Sequence, residues 1–232
     1  MGTSTMIIAD DGFEFSAYVA APTGTVRGGV VVVQEIFGVN GHIREVCDGF
    51  AADGYYALAP AIFDRLERGV ELGYTTDDIA IGRDLARGRT DFDRAVRDTA
   101  NSADHLRALL RDEPANGSRV GCTGYCWGGV VTAASAVRSA GSFGCAVSYY
   151  GTGAVGFVDQ PLAMPLLCHY GDQDTSIPPE DIAKIRIWAG DANVHVYAAQ
   201  HGFTCDHRPQ YDEAAASLAR VRTLDFFTLH LG

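Results

Sequence analysis

The sequence predicts an α/β fold: a mostly parallel central sheet with helices on both faces. Three observations carry this. Short apolar runs alternate along the chain with longer amphipathic stretches, as strand and helix do in a covered parallel sheet. The run Val30-Val31-Val32-Val33 is apolar without alternation, as a strand buried on both faces requires. The segment Gly124-Tyr125-Cys126-Trp127-Gly128-Gly129 joins an apolar run to a small-residue run, which reads as strand, sharp turn and helix.

The elements follow in order. Residues 5–8 and 13–19 are short alternating runs around the turn signal Asp10-Asp11-Gly12, so they form an antiparallel hairpin. Residues 30–33 are the first central strand, and residues 55–59 the next. Further strands are expected at 119–123, 146–150, 166–170 and 194–197, at intervals that leave room for helices. Helices are expected at 42–53, 91–110, 130–140, 179–188 and 211–231. The second has Phe92, Ala95, Val96, Ala103, Leu106, Leu109 and Leu110 at helical spacing, and the fourth carries Pro179 near its start. Residues 64–89 are polar and rich in glycine and arginine. They are expected to form a loop or short helices near the mouth of a site.

Composition narrows the function. At 232 residues, with 47% hydrophobic content, residues 1–232 read as one domain with a large core. A net charge of −11 argues against nucleic-acid binding. No apolar stretch is long enough for a membrane span. The N-terminal residues lack a basic and then apolar leader, so a cytoplasmic protein is expected. The six cysteines include no C-x-x-C pair, and Cys122, Cys145 and Cys168 sit in strand-like runs as small hydrophobes. Cys205 and His207 alone lack the partners of a metal motif. No cofactor and no metal are expected.

The G-x-C-x-G turn reads as the nucleophile elbow of an α/β-hydrolase, with a thiol where serine is usual. In that fold the nucleophile precedes an acid, and the acid precedes a histidine. Cys126 is followed by Asp172 and Asp174, just past the strand at 166–170, and then by His201, just past the strand at 194–197. Asp174 is preferred to Asp172, because a carboxylate three residues after glycine and ahead of a proline-bearing turn is the usual setting. His201 would take the thiol proton, and Asp174 would hold the imidazole tautomer. Backbone N–H groups of Trp127 and Ile36 are the expected oxyanion donors. Glu35 follows the valine strand and so lies at the same rim, where a carboxylate would raise the pKa of a nearby thiol; the competing reading is a surface glutamate. Of the other histidines, His169 reads as a hydrogen-bonded core residue, and His42, His105, His195 and His230 as solvated positions.

Four motifs taken together resemble the dienelactone hydrolase family: Gln34-Glu35-Ile36-Phe37-Gly38-Val39-Asn40, the elbow, Gly171-Asp172-Gln173-Asp174, and His201-Gly202-Phe203. The resemblance implies Cys126 as nucleophile, Asp174 and His201 as its partners, and Glu35 as a gate that releases the thiolate when substrate arrives. It implies a reaction that opens an enol-lactone ring or cleaves a small activated ester. The substrate would carry a carboxylate, and the protein would be a monomer or homodimer. Family members use two arginines to hold that carboxylate. Here Cys205 stands four residues past His201, and Arg208 is the nearest arginine. Arg83, Arg87 and Arg89 are candidates for the other, Arg83 first. Phe37 and Tyr150 are further candidates for the pocket. The rival reading is an α/β-hydrolase scaffold without catalysis, serving as a ligand-binding or redox-responsive protein.

Overall fold

The computed structural model describes residues 2–111 and 119–231. Eight strands form one sheet: β1 (Thr3–Ile8), β2 (Glu14–Ala20), β3 (Gly28–Val33), β4 (Tyr55–Pro60), β5 (Val120–Tyr125), β6 (Ala146–Tyr149), β7 (Leu166–Gly171) and β8 (Val194–Tyr197). Their order across the sheet is β1-β2-β4-β3-β5-β6-β7-β8. β1 and β2 form the expected antiparallel hairpin, with Gly12 at φ 81° in its turn, and β2 also pairs antiparallel with β4. Every strand from β4 to β8 in that order is parallel to its neighbour. Val30 to Val33 are fully buried, as their unbroken apolar run requires. Each contributes about 1.5–3 kcal/mol relative to an exposed position.

Helices α1 (Gly41–Ala52), α2 (Thr76–Arg83), α3 (Phe92–Leu109), α4 (Trp127–Arg138) and α5 (Pro179–Ala189) lie between strands, and α6 (Glu213–Leu231) follows the last one. They cover both faces of the sheet. A side chain at Gly29 would meet Leu106 of α3, whereas one at Gly121 would meet Phe227 and Leu231 of α6. Gly29 pairs with Val120, so Gly29 and Gly121 point to opposite faces. α1 joins α6 through the rings of Phe50 and Phe227, 5.8 Å apart.

Residues 64–89 are short helices and turns, as expected. A 3-10 turn (Ile62–Arg65) leads through an isolated bridge, Gly38 with Glu71, to α2 and a π-turn (Asp84–Arg89). A reciprocal capping box starts α2: the Thr75 side chain accepts from the Asp78 N–H, and the Asp78 carboxylate accepts from the Thr75 N–H. No described helix is long and apolar enough to cross a membrane.

Candidate active site

The elbow is a strained junction. Cys126 is the N-cap of α4 and sits at φ 55°, ψ −114°, a conformation that a non-glycine side chain resists. Only two described non-glycine residues have positive φ, Cys126 and Tyr150, and both lie at this rim. Glycine makes the junction feasible. A Cβ at Gly128 would fall 2.4 Å from the carbonyl oxygens of Val33 and Gln34, and one at Gly124 would fall 2.2 Å from that of Gly128. Removal of both side chains lets the start of α4 press against β3 and its following loop. Trp127 is the first residue of α4, so its N–H has no intrahelical acceptor and stands at the positive end of the helix.

Asp174 and His201 meet as their positions after β7 and β8 imply. Asp174 Oδ2 lies 2.6 Å from His201 Nδ1, and the other carboxylate oxygen accepts the Ser176 N–H at 2.8 Å. Asp174 is buried and Asp172 is exposed, so the contact with His201 belongs to Asp174. Burial alone would favour neutral imidazole at His201. Its pKa is nevertheless raised, by the charge and hydrogen bond of Cys126 and by the hydrogen bond to Asp174. These neighbours stabilise the imidazolium that forms once the ring takes a proton.

Glu35 is fully buried, which overturns the surface reading. Arg208 Nη1 approaches its Oε1 at 3.4 Å, and Oε2 has no partner. The Arg208 guanidinium lies over the rings of Tyr74 and Phe37, at 5.5 and 5.9 Å. Gly202, at φ 79°, makes room for it, since a Cβ there would sit 2.7 Å from Arg208 Nη1. Asn40 ties the loop down. Its side-chain oxygen accepts from the Ile43 N–H, and its amide nitrogen donates to the Leu72 carbonyl and the Tyr74 hydroxyl.

The remaining candidates are placed as follows. Ile36 and Phe37 are buried on the loop after β3. Gly82 of α2 packs on this loop, as a Cβ there would lie 2.3 Å from the Ile36 carbonyl oxygen. Tyr150 is buried with its ring 5.0 Å from that of His201, and its hydroxyl pairs with Thr204 Oγ1 at 2.6 Å. Arg83, Arg87 and Arg89 are all exposed, and Arg89 is 3.9 Å from Asp84. Arg208 is therefore the arginine brought to Glu35, and Arg83 is not brought there. His169 is a core residue as expected, held by Tyr197 at 2.8 Å and Thr223 at 3.0 Å.

His42 differs from its expected solvated position. It is 3% exposed, because the segment after His201 folds over the start of α1. Asp206 comes within 3.9 Å of His42 Nδ1, and the His207 ring lies 5.9 Å from that of His42. Burial lowers the His42 pKa. Cys205 is buried too, and its thiol donates to the Tyr74 hydroxyl at 3.3 Å. Burial, then Glu35, pushes the Cys205 pKa up to about 11. Local sequence carried no signal for the grouping of Tyr74, His42 and Cys205. A cleft of about 400 Å³ opens beside this region, lined by His42, Tyr125, Thr204 and Arg220 among others. Neither Cys126 nor His201 lines it.

The chain matches the dienelactone hydrolase family model over residues 15–231. This chain belongs to the dienelactone hydrolase family. An Azospirillum brasilense protein provisionally named a carboxymethylenebutenolidase is 36% identical over 237 residues, covering 99% of this chain and 100% of its own length. Carboxymethylenebutenolidase 1 of Cupriavidus pinatubonensis is 28% identical, covering 96% and 95%. A crystal structure of a provisionally assigned dienelactone hydrolase from Klebsiella pneumoniae superposes with a TM-score of 0.83 at 29% identity, covering 98% of each chain. The fold is that of an α/β-hydrolase, and family membership makes the protein a carboxylic ester or lactone hydrolase.

Proposed function

We propose that the protein opens enol-lactones of the dienelactone type, or cleaves small activated esters, through an acyl-Cys126 intermediate. The observation that carries this is the strained Cys126 at the head of α4, on the rim where His201 is held by Asp174 at 2.6 Å. His201 takes the thiol proton, and sulfur adds to the substrate carbonyl. The oxyanion forms facing the N–H of Trp127 and of Ile36, each contributing roughly 3 kcal/mol to the lowered barrier. Collapse expels the ring oxygen as an enolate, which takes the proton from His201. In a lactone that oxygen stays on the acyl chain, so one molecule remains bound as a thioester. Water, losing its proton to His201, then adds to the thioester and regenerates the thiol. Asp174 keeps the His201 Nε2 side directed at sulfur.

Glu35 is the gate in this reading. Its carboxylate charge disfavours a resting thiolate, and a substrate carboxylate competes with it for Arg208. The test compares kcat/KM on a dienelactone and on p-nitrophenyl acetate for wild type, Cys126→Ala and His201→Gln. Each variant loses on the order of 10³-fold or more. Rates equal to wild type in Cys126→Ala end the proposal.

A further inference from the structure

Beside the elbow lies a second group of reactive side chains that hydrolysis does not use as a set. Glu35, His42 and Cys205 are all buried, and they bring one carboxylate oxygen, one ring nitrogen and one sulfur within 4.8 Å of one another. Two of the polar atoms here have no partner: Glu35 Oε2 and His42 Nε2. Buried polar atoms are nearly always paired, so two such atoms beside one thiol mark a place made for a ligand. In sequence, Cys205 and His207 stand two apart without the further partners of a metal motif, and no metal is expected there. The fold instead turns Cys205 inward to Glu35 and His42, and leaves His207 outside with Glu45 and Asp206.

We propose that Glu35, His42 and Cys205 form a binding site for a borderline-soft divalent cation, of which zinc is the type. Thiolate, imidazole and carboxylate together are a zinc donor set. Bond lengths of about 2.0–2.3 Å put tetrahedral ligands about 3.3–3.8 Å apart, so the three atoms close in by about 1 Å. The surroundings are those of a metal site. Asp206 lies behind His42, 3.9 Å from Nδ1, and adds negative charge beside the ring, whose Nε2 has no partner. Arg208 holds the other oxygen of Glu35. As the metal–sulfur bond forms, Cys205 loses its thiol proton to solvent, and the Tyr74 hydroxyl turns from acceptor to donor toward the thiolate. Glu35 and Cys205 neutralise the cation, and a fourth position remains for water.

The test reads binding and is independent of hydrolysis. Metal-free wild-type protein is titrated with Co2+, then with Zn2+ in competition. One equivalent of Co2+ gives a sulfur-to-cobalt charge-transfer band that Zn2+ displaces. The band survives in Cys126→Ala and in Glu45→Gln, and disappears in Cys205→Ser. In His42→Gln the Zn2+ affinity falls more than about 100-fold, since even an outer-shell partner is worth 10- to 100-fold. No band in wild type overturns the proposal. So does a band that follows Cys126, or Zn2+ binding that is lost in Glu45→Gln and kept in Cys205→Ser.

Discussion

Asp98 on α3 and Glu35 after β3 lie equally deep, at 1% and 0% exposure, and the protein treats them in opposite ways. Asp98 accepts four hydrogen bonds from two guanidinium groups: Arg65 Nε at 2.5 Å, Arg65 Nη2 at 2.9 Å, Arg94 Nε at 3.0 Å and Arg94 Nη2 at 2.9 Å. That network ties α3 to the turn after β4, and Arg65 reaches on to Asp11 in the β1–β2 turn. Glu35 has one long contact with Arg208 and a bare second oxygen. A buried carboxylate this poorly paired costs several kcal/mol. The difference separates a charge that holds elements together from one kept available for another partner.

The comparison can be broken in three places. The largest effect belongs to Asp98→Ala, which leaves two guanidinium groups facing a buried gap. It costs about 3–5 kcal/mol and lowers Tm by roughly 10 °C in calorimetry. A shift under about 2 °C would show that the network holds nothing. Next is Arg208→Gln. With a lactone bearing a carboxylate, kcat/KM drops about 10- to 100-fold, the worth of a charge-assisted hydrogen bond. With a neutral aryl ester it changes less than about threefold. Equal loss on both substrates removes Arg208 from carboxylate recognition. The smallest change in stability is at Glu35→Gln, within about 1 kcal/mol of wild type, because relief of the buried charge is offset by loss of the Arg208 contact and by the amide's own buried polar atoms. The same variant sharpens the contrast by kinetics. Without the carboxylate, substrate-free Cys126 is alkylated faster by iodoacetamide at neutral pH. Unchanged or slower labelling would deny Glu35 its gating role.

The legible parts of this molecule are those encoded locally. The elbow needs glycines on both sides of one residue, and all of them fall within six positions. Asp174 and His201 follow from their places just past two strands, and the fold brings them together. Glu35 was legible as a rim residue, but its burial was not. It meets Arg208 across 173 residues, and no local pattern records that. His42 lies at the start of an amphipathic helix, where a solvated position is the default. The chain from 204 to 208 covers it, and that packing is a property of the fold. The arginines at 83, 87 and 89 sit near the right stretch of sequence, yet they face solvent on α2 and the π-turn.

Strand order has a consequence for the life of the chain. Cys126 directly follows β5, and His201 arrives only after β8. A nascent or truncated polypeptide that stops short of β8 carries the sulfur without its base. On the proposed mechanism, acylation by stray electrophiles is thereby deferred until synthesis of the C-terminal third lets the last strand dock.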